Sequence, residues 1–265
     1  METIRPVGEH LREWRQRRRL SQLALACDAE ISTKHLSFLE TGRAQPSREM
    51  VLRLAERLEV PRRERNVLLV SAGYAPVFAE RPLADPALQA ARRAVDLVLS
   101  GHEPYPALAV DRHWMMVTAN SAVQRLLAGV DAAMLAPPVN VLRLSLHPDG
   151  LAPRIANLAE WRAHLLARLR RQIDVTADPV LVDLLNELSG YPKPAMPAAR
   201  KPAPIDGSVV VPFRLAMDGG ILSFISTTTV FGTPVDITLS ELAIESFLPA
   251  DAATAEALRR LAEPA

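Results

Sequence analysis

Three hydrogen-bonding side chains recur at helical spacing near the start of the sequence. Thr33, Lys34 and Ser37 fall on the side of a short segment opposite Leu36 and Leu39, which have the i, i+3 spacing of a buried helix face. Short or flexible polar side chains of this kind suit the base edges exposed in a DNA major groove. The spacing therefore predicts a polar helix face that could contact DNA.

Serine residues at three helix starts define the elements that would position this face. Ser21, Ser32 and Ser47 each precede a segment with apolar residues at helical spacing, and serine is a favoured N-cap. Gly42 stands where a left-handed residue would end the second of these helices. The pattern predicts two short helices joined by a tight connection and followed by another helix.

The segment from about residue 7 to residue 74 resembles the helix-turn-helix domain of the XRE family, the phage-repressor-like DNA-binding proteins. The resemblance rests on residues that fall in register: Gln22, Ile31, Ser32, Leu36, Ser37, Leu39, Glu40, Gly42, Arg43, Pro46 and Ser47. It implies that Gln22 and Arg43 contact phosphates. It also implies that Thr33, Lys34 and Ser37 face the bases. Ser32, at the start of the same helix, is predicted to be a further DNA-binding residue.

A capped helical bundle could instead dock another protein, with Lys34 and Arg43 as ordinary solvated charges. DNA binding is the favoured interpretation because turn spacing and exposed-face chemistry agree at several positions. Phe38 is bulky where some relatives carry a polar side chain. Glu40 is expected to close an internal ion pair or cap, since a carboxylate near phosphate would be repelled.

The charge of the chain is nearly balanced, because 31 Lys/Arg and 30 Asp/Glu leave a net charge of +1. Residues 1–80 contain 14 basic and 11 acidic side chains, whereas the remainder contains 17 and 19. Two local groups are basic: Arg15, Arg17, Arg18 and Arg19, and then Arg62, Arg63 and Arg65. Such groups could neutralise phosphates or could complement helix C-terminal dipoles.

The sequence favours a reducing compartment and no catalysis. The single cysteine, Cys27, permits no internal disulfide and is expected to pack as a small apolar residue. We find no signal-like start and no apolar run long enough to span a membrane, so a cytoplasmic protein is expected. Zinc-ligand spacing, a nucleophile elbow and a phosphate-binding glycine loop are also missing from the sequence. No catalytic residue, metal ligand or cofactor is therefore predicted.

Proline residues suggest a domain boundary near residue 80. Five helices are predicted before it. Pro76, Pro82 and Pro86 interrupt regular structure in the segment that connects the fifth helix to the next one. This divides the chain into a DNA-binding domain at 1–80 and a second domain at 81–265. A helix at about 87–100, which follows the boundary, could link the domains or pair with a second subunit.

The second domain is predicted to be α+β with one antiparallel sheet, so that helices on one sheet face can leave a pocket between the layers. Two strands are expected around Asp111, at 107–111 and 113–118, and a hairpin turn at Asp218, Gly219 and Gly220 should join strands 208–217 and 221–229. A last strand is expected at 241–247. Helices are expected at 121–128, 139–146, 153–172, 178–188 and 252–261. The proline-rich stretch from Tyr191 to Pro204 is expected to be a loop or a polyproline-like segment.

Residues from about 85 to 262 resemble the ligand-binding domain of MmyB-like transcription regulators, which has a PAS-like fold. The residues that carry the resemblance, in order, are Ala107–Trp114, Asn120, Asn140–Arg143, His147, Pro148, Trp161, Phe231–Asp236, Glu241, Leu242 and Pro249–Asp251. The resemblance implies a small apolar ligand, such as a fatty acid or a similar lipid. The implied fold class is thus α+β overall, with an all-α five-helix helix-turn-helix domain followed by a PAS-like antiparallel sheet with covering helices.

An acyl chain needs an apolar tunnel, and a carboxylate head needs a cation or several donors. The residues that meet these needs on or beside apolar segments are Trp114, Met116, Asn120, Arg143, His147 and Phe224. Simpler roles remain open for several of them. Asn120 could cap a helix, Trp114 could be core, and His147 could sit in a turn. Arg143 could pair with Asp149 or Glu160.

The favoured hypothesis is a DNA-binding transcriptional regulator that acts as a homodimer on double-stranded DNA and is controlled by a small hydrophobic ligand. Two alternatives remain. The second domain could be a protein-interaction or dimerisation module without a small-molecule ligand, or it could be catalytic, which no constellation of residues supports.

Overall fold

The computed structural model describes residues 5–192, 210–234 and 236–263. The chain divides into two compact units. The first unit is the chain up to Glu80 with short segments at Asp174–Ala177 and around Asp236, and the second unit is the remainder.

Between residues 5 and 80, five helices form the first unit. They are α1 (Val7–Arg17), α2 (Gln22–Asp28), α3 (Thr33–Glu40), α4 (Arg48–Arg57) and α5 (Arg62–Ser71). Each helix contributes apolar side chains at helical spacing to one core, for example Leu11, Leu25, Leu36, Leu54 and Leu69, all of them fully buried. The predicted all-α domain of five helices is confirmed.

The serine caps that were predicted from the sequence are present. The hydroxyl oxygens of Ser21, Ser32 and Ser47 each accept a hydrogen bond from the backbone N–H three residues on, at 3.0, 3.1 and 3.2 Å. Gly42 has a φ of 72°, the left-handed conformation that a glycine adopts without steric cost. The local sequence therefore sets where α2, α3 and α4 begin and where the chain leaves α3.

A close approach between α1 and α3 requires a glycine. A Cβ atom at Gly8 would overlap the backbone carbonyl oxygen of Leu39, and the backbone cannot yield as a flexible side chain would. Gly8 thus lets α1 pack directly on the end of α3.

The prediction that Cys27 is packed in the core is wrong. Its side chain is exposed. The buried face of α2 and its C-terminal end is formed by Leu25, Ala26 and Ala29, and helical geometry turns position 27 away from that face.

Within the described residues, the second domain contains an antiparallel sheet of five strands in the order β2-β1-β5-β4-β3. The strands are β1 (Ala107–Val110), β2 (Met116–Ala119), β3 (Phe213–Met217), β4 (Gly220–Val230) and β5 (Ala243–Pro249). The helices are α6 (Gln89–Gly101), α7 (Ser121–Leu126), α8 (Val141–Leu146), α9 (Leu158–Thr176), α10 (Pro179–Gly190), α11 (Ile237–Ser240) and α12 (Ala252–Ala262). This confirms the predicted α+β class with one antiparallel sheet and helices.

Strand β1 is buried on both faces, and its alternation separates two cores. Ala107 and Ala109 pack on one side with Val95 and Leu99 of α6. The other two β1 residues, Leu108 and Val110, face the main core on the opposite side of the sheet. Because successive strand residues point to opposite faces, this four-residue strand contributes side chains to the cores on both sides of the sheet.

The predicted hairpin at Asp218, Gly219 and Gly220 is confirmed, except that Gly220 is already the first residue of β4. Strands β3 and β4 pair from Phe213 with Phe224 to Met217 with Gly220, leaving two residues in the turn. Gly220 has a φ of 126°, which favours glycine at that position.

The prediction that a strand begins at His113 is wrong, because β2 begins at Met116. One carboxylate oxygen of Asp111 accepts hydrogen bonds from the backbone N–H groups of His113 and Met115, at 2.8 and 2.9 Å. This side-chain turn removes two donors from any strand ladder, so the turn is longer than the sequence pattern indicated.

The longest helix also begins later than predicted. Residues 152–154 form a short 3₁₀ turn, Ile155 makes an isolated bridge with Leu215, and α9 begins at Leu158. From Pro194 onward, the prolines of the predicted proline-rich loop lie outside the described residues, as do Ser208 and Val209 of the predicted strand. In the part of the chain that the structure describes, the helices are too short or too polar to cross a membrane.

Candidate functional site

The outward face of α3 carries the polar residues that the sequence singled out. Lys34 is exposed, and Thr33 and Ser37 are half-buried, while Leu36 and Leu39 are fully buried beneath them. Ser32 is exposed at the helix start and serves as its N-cap. The predicted group thus shares one short helix and its cap, with polar atoms directed away from the core.

Phe38 lies between the two cations of this face. The Lys34 ammonium is 5.7 Å from the centroid of the Phe38 ring, and the Arg43 guanidinium is 5.9 Å from it. The backbone N–H of Arg43 also donates to the Phe38 carbonyl at 2.8 Å. A cation within about 6 Å of an aromatic face is attracted to it, so the ring restrains both long side chains. The sequence interpretation noted the bulk of Phe38 but not this role.

Glu40 closes the internal ion pair that the sequence predicted. Its carboxylate accepts hydrogen bonds from Arg15 at 2.6 and 2.9 Å and from the Gln22 side-chain amide at 2.8 Å. Burial raises the pKa of the Glu40 carboxyl, but the hydrogen bonds from Arg15 and Gln22 outweigh this and hold the pKa below its ordinary value. The carboxylate therefore stays charged and connects α1, α2 and α3.

The hydrogen bond to Glu40 also limits which other contacts the Gln22 side chain can make. Its side-chain amide is directed at Glu40, so its position at the start of α2 is fixed by the ion pair. A phosphate contact would use its remaining amide hydrogen or the unsatisfied backbone N–H groups of the first helical turn. The predicted phosphate role of Gln22 stays a prediction.

Three of the four arginines at the end of α1, namely Arg15, Arg17 and Arg18, make hydrogen bonds within the fold. Arg18 donates to the backbone carbonyls of Leu58 and Glu59, at 2.9 and 3.0 Å, where α4 ends. Arg17 donates to Glu13 at 3.2 Å. Arg18 thus pairs with backbone carbonyls that follow α4, and the phosphate role of this basic group stays a prediction.

A cavity of about 90 Å³ lies in the second domain between the sheet and helices α7, α8 and α9. Its walls are mainly aliphatic and aromatic, and they include Leu108, Val123, Leu142, Trp161, Leu165 and Phe213. An apolar site of this kind favours an apolar ligand group over water, because it offers few polar partners.

An ion pair forms one part of the cavity wall. Arg168 donates to the two carboxylate oxygens of Glu245 at 2.9 and 2.6 Å. The Glu245 side chain is 5% exposed and that of Arg168 is 25% exposed. The Thr228 hydroxyl accepts from Arg168 at 2.8 Å and donates to Glu245 at 3.1 Å. These residues place a compensated pair of charges beside an otherwise apolar space.

Trp114 connects this ion pair to the cavity. Its ring lines the space, and the Arg168 guanidinium lies 4.5 Å from the ring centroid. The ring N–H donates to the Gln172 side chain at 2.8 Å. Trp114 has a φ of 66°, a left-handed conformation that costs a non-glycine residue about 1–3 kcal/mol. The stacking and the hydrogen bond hold the residue in this strained conformation.

Two of the six predicted ligand residues, Trp114 and Met116, line the cavity. The other four do not: Asn120, Arg143, His147 and Phe224. Phe224 is fully buried in the main core, with its ring centroid 5.8 Å from that of Phe213. The Nδ1 atom of His147 accepts from the backbone N–H of Asp149 at 3.1 Å, as expected for a residue in a turn.

Asn120 has all its hydrogen-bonding capacity satisfied within the fold. Its carbonyl oxygen accepts from the backbone N–H groups of Ala107 and Val123, at 3.1 and 3.4 Å. Its amide donates to the carbonyls of Leu99 and Tyr105, at 3.1 and 2.8 Å. Asn120 is thus the predicted cap of α7 and also joins α6, β1 and α7.

Arg143 forms an ion pair that was not among those considered from the sequence. It donates to the carboxylate of Glu187 on α10, with contacts of 2.7 to 3.0 Å, and the Tyr191 hydroxyl donates to the same carboxylate at 2.6 Å. The hydrogen bond from Arg143 lowers the pKa of Glu187, while burial and the bond to Glu187 raise the pKa of Tyr191 to about 12. The Arg143 side chain is 41% exposed.

The sequence interpretation missed Arg168 and Glu245. Arg168 follows Trp161 by seven residues and Leu165 by three, so helical periodicity places it on the apolar face of α9, and this signal was available. No comparable signal existed for Glu245, because alternation in β5 does not show that both faces of the strand are covered.

Two different family models match the N-terminal and C-terminal parts of the chain. The family model for the MmyB-like transcription regulator ligand binding domain matches residues 91–261, and that for a helix-turn-helix domain matches residues 6–68. The first match covers more than half of the chain. This protein belongs to the MmyB-like transcription regulators. In this regulator the first match includes every strand of the sheet, and the second runs from α1 into α5. The predicted helix-turn-helix domain and the predicted MmyB-like ligand-binding domain are confirmed.

No curated protein matches the sequence of the regulator. A solved structure described as an RNA-binding Light-Oxygen-Voltage Receptor aligns at 15% identity with a TM-score of 0.28, covering 97% of this chain. The regulator spans 62% of that chain, less than two thirds of its length.

Proposed function

We propose that this regulator binds double-stranded DNA through α3 as a homodimer, and that a small hydrophobic ligand such as a fatty acid or similar lipid in the second domain controls it. The observation that supports the ligand is the apolar cavity beside the Arg168–Glu245 pair. The family of the second domain, described as ligand binding, agrees with this proposal.

Support for DNA binding comes from the exposed face of α3. Lys34 and Ser37 project from a helix of eight residues, short enough to lie within a major groove. Arg43 lies three residues after the last residue of the helix and is restrained by Phe38. A contact with phosphate at one end and base-edge contacts along the helix would give both affinity and sequence preference.

The ligand chain would lie among the side chains of α7, α8 and α9. Each buried CH₂ group contributes about 0.8 kcal/mol, so a few carbon atoms would bind measurably. Ligand pockets for larger molecules usually have about 300–1,000 Å³, so a long acyl chain requires the walls to move. Met116 can adapt in this way because its unbranched side chain changes conformation readily.

A homodimer would place two α3 helices on two half-sites of an operator. Ligand occupancy would then change DNA affinity by favouring one arrangement of the two helices. Coupling of this kind typically amounts to about 1–3 kcal/mol.

Native mass spectrometry of the full-length protein tests the proposal. We expect a dimer that retains a small lipid after purification, and we expect added lipid to change operator affinity in a mobility-shift assay. A dimer that carries no lipid, and whose operator affinity is the same with and without lipids, would instead support a pure interaction module.

A further inference from the structure

We propose that α6 forms the dimer interface of this regulator, with the exposed face of one α6 packed antiparallel against the same face of α6 in a second copy of the chain. This inference rests on the proposed function, because it names the surface that would hold the proposed homodimer together. The contact is built from residues of the second domain alone.

The face of α6 that points away from the sheet carries an exposed leucine. Val95 and Leu99 pack against the sheet, whereas Leu97, two residues from each of them, is 72% exposed. Helical geometry places position 97 on the opposite side from positions 95 and 99, so the fold of one chain does not bury it. A single exposed leucine is ordinary on a protein surface, and an interface therefore needs further evidence.

An apolar groove of about 230 Å³ lies beside this face, between α6 and the neighbouring ends of β4 and β5. Ala94 and Val98 line it from α6, and Val230 and Phe231 line it at the end of β4. Val98 is 37% exposed and Val230 is 62% exposed. The apolar surface thus extends from Leu97 into the groove, and it remains open to solvent in a single chain.

The exposed face of α6 also carries two opposite charges that its own chain does not pair. Arg93 and Asp96 are exposed, and neither side chain makes a hydrogen bond or ion pair with another residue of the described part of the chain. They lie three residues apart, on the flank of Leu97 opposite Val98. Because a two-fold interface brings one surface onto itself, a second copy can supply both missing partners.

An antiparallel arrangement of two α6 helices pairs all four charges at once. With the two-fold axis near the middle of α6, Arg93 of each copy lies level with Asp96 of the other. The two-fold axis also brings the same flank of both helices together, so both ion pairs form on one side of the contact. In this register, Leu97 lies level with the stretch between Ala90 and Ala94 of the second copy, where small side chains leave room for it.

Analytical ultracentrifugation of the full-length protein over a range of concentrations measures the dissociation constant of the dimer. Arg93→Glu and Asp96→Arg each place like charges at both contacts of the homodimer. We expect either substitution alone to raise the dissociation constant at least about ten-fold, because like charges that face each other across an interface are strongly unfavourable. Both side chains are exposed, so thermal denaturation of the second domain should be unchanged.

The decisive measurement mixes the two charge variants in equal amounts. A heterodimer of Arg93→Glu with Asp96→Arg has opposite charges at both contacts, so the mixture should recover a dimer about as tight as that of the unmodified protein. Native mass spectrometry identifies the heterodimer, because the two variants differ in mass. Effects within one helix are the same before and after mixing, so recovery isolates the contact between copies.

The matched control uses Glu256 and Arg259, an exposed pair with the same spacing of three residues on α12. Glu256→Arg and Arg259→Glu should leave the dissociation constant unchanged, both alone and mixed. Leu97→Ala should weaken the dimer without a change of charge, whereas Leu261→Ala, at an exposed position of α12, should not. If a charge variant fails to fold, this comparison of the two leucines decides.

A dimer whose dissociation constant is unaffected by the α6 substitutions overturns this inference and leaves the proposed homodimer intact. Charge variants that are weakened alone but form no heterodimer on mixing also overturn it. An unmodified protein that stays monomeric at every concentration, both free and on operator DNA, overturns the proposed homodimer itself, and the inference with it.

Discussion

Arg15 and Glu40 join α1 to the end of α3 through two hydrogen bonds of 2.6 and 2.9 Å, and both side chains are largely buried. Gln22 adds a third bond to the same carboxylate from the start of α2. One charged pair therefore fixes the orientation of the helix that we propose to bind DNA.

Removing the charge of Glu40 should destabilise the helix-turn-helix domain. Glu40→Gln leaves Arg15 buried without its partner, and breaking a buried pair in this way typically costs about 3–5 kcal/mol. Hydrogen exchange of peptides from α1 and α3, together with urea denaturation, measures the loss. The matched control is Glu13→Gln, whose ion pairs are exposed and should contribute less than about 1 kcal/mol. Equal effects of the two substitutions would contradict this role.

The same ion pair predicts how stability depends on pH. The folded pKa of Glu40 lies below the ordinary value of 4.5. Its stabilising contribution is therefore complete above that pH and is lost as the pH falls through the folded pKa. The protection of α3 amides, measured against the intrinsic exchange rate at each pH, should fall over this acid range in the unmodified protein and change less in Glu40→Gln. An identical pH profile in both proteins would exclude Glu40 as the titrating group.

Lys34→Ala should weaken operator binding. If the ammonium contacts a base edge, the loss should be about 1–3 kcal/mol, with reduced discrimination between related sequences. Fluorescence anisotropy with labelled duplexes at fixed salt gives both quantities. Arg260→Ala, which removes an exposed cation from α12, controls for the overall change in charge. Unchanged affinity in Lys34→Ala would remove this residue from the interface.

Phe38→Leu should lower operator affinity although the residue need not touch DNA. The leucine keeps an apolar side chain but loses the aromatic face that restrains Lys34 and Arg43, an effect of about 0.5–1 kcal/mol at an exposed site. Phe38→Tyr retains that face and should bind nearly as tightly as the unmodified protein in the same anisotropy assay. If leucine and tyrosine behave alike, restraint by the ring is not the cause.

Asn120→Ala should destabilise the second domain without changing its preference among lipids. The substitution removes the side-chain partner of the Ala107 backbone N–H and of the Tyr105 carbonyl, and each buried group that is left unsatisfied costs about 1–3 kcal/mol. Thermal denaturation measures the loss, and Asp131→Ala, which removes a cap at an exposed 3₁₀ turn, should have a much smaller effect. A change in lipid preference at unchanged stability would instead assign Asn120 to the ligand.

Arg143→Met tests the head-group role predicted from the sequence against the surface ion pair in the structure. The pair with Glu187 is partly exposed, so its loss should cost less than about 1 kcal/mol. Affinities for octanoate and octanamide should change equally. A selective loss of octanoate binding would restore Arg143 as a head-group contact.

The sequence by itself determined where helices and turns begin and end at positions where contacts between near neighbours in the chain set the backbone conformation. Ser21, Ser32 and Ser47 fix helix starts because a hydroxyl satisfies an unpaired backbone N–H, and Gly42 ends α3 because it tolerates a positive φ. Apolar spacing identified the core of the first domain, and the Asp218–Gly219 turn set the pairing of β3 with β4. These features depend on neighbours within a few residues.

Only the tertiary structure decided which distant side chains meet. Arg168 and Glu245 are separated by 77 residues and come together because β5 lies in the middle of the sheet, beside α9. Arg143 pairs with Glu187 for the same kind of reason, 44 residues away. The charged residues along the chain offer each arginine many possible acidic partners. The packing of helices on the sheet selects one of them, because a buried charge is stable only beside its opposite.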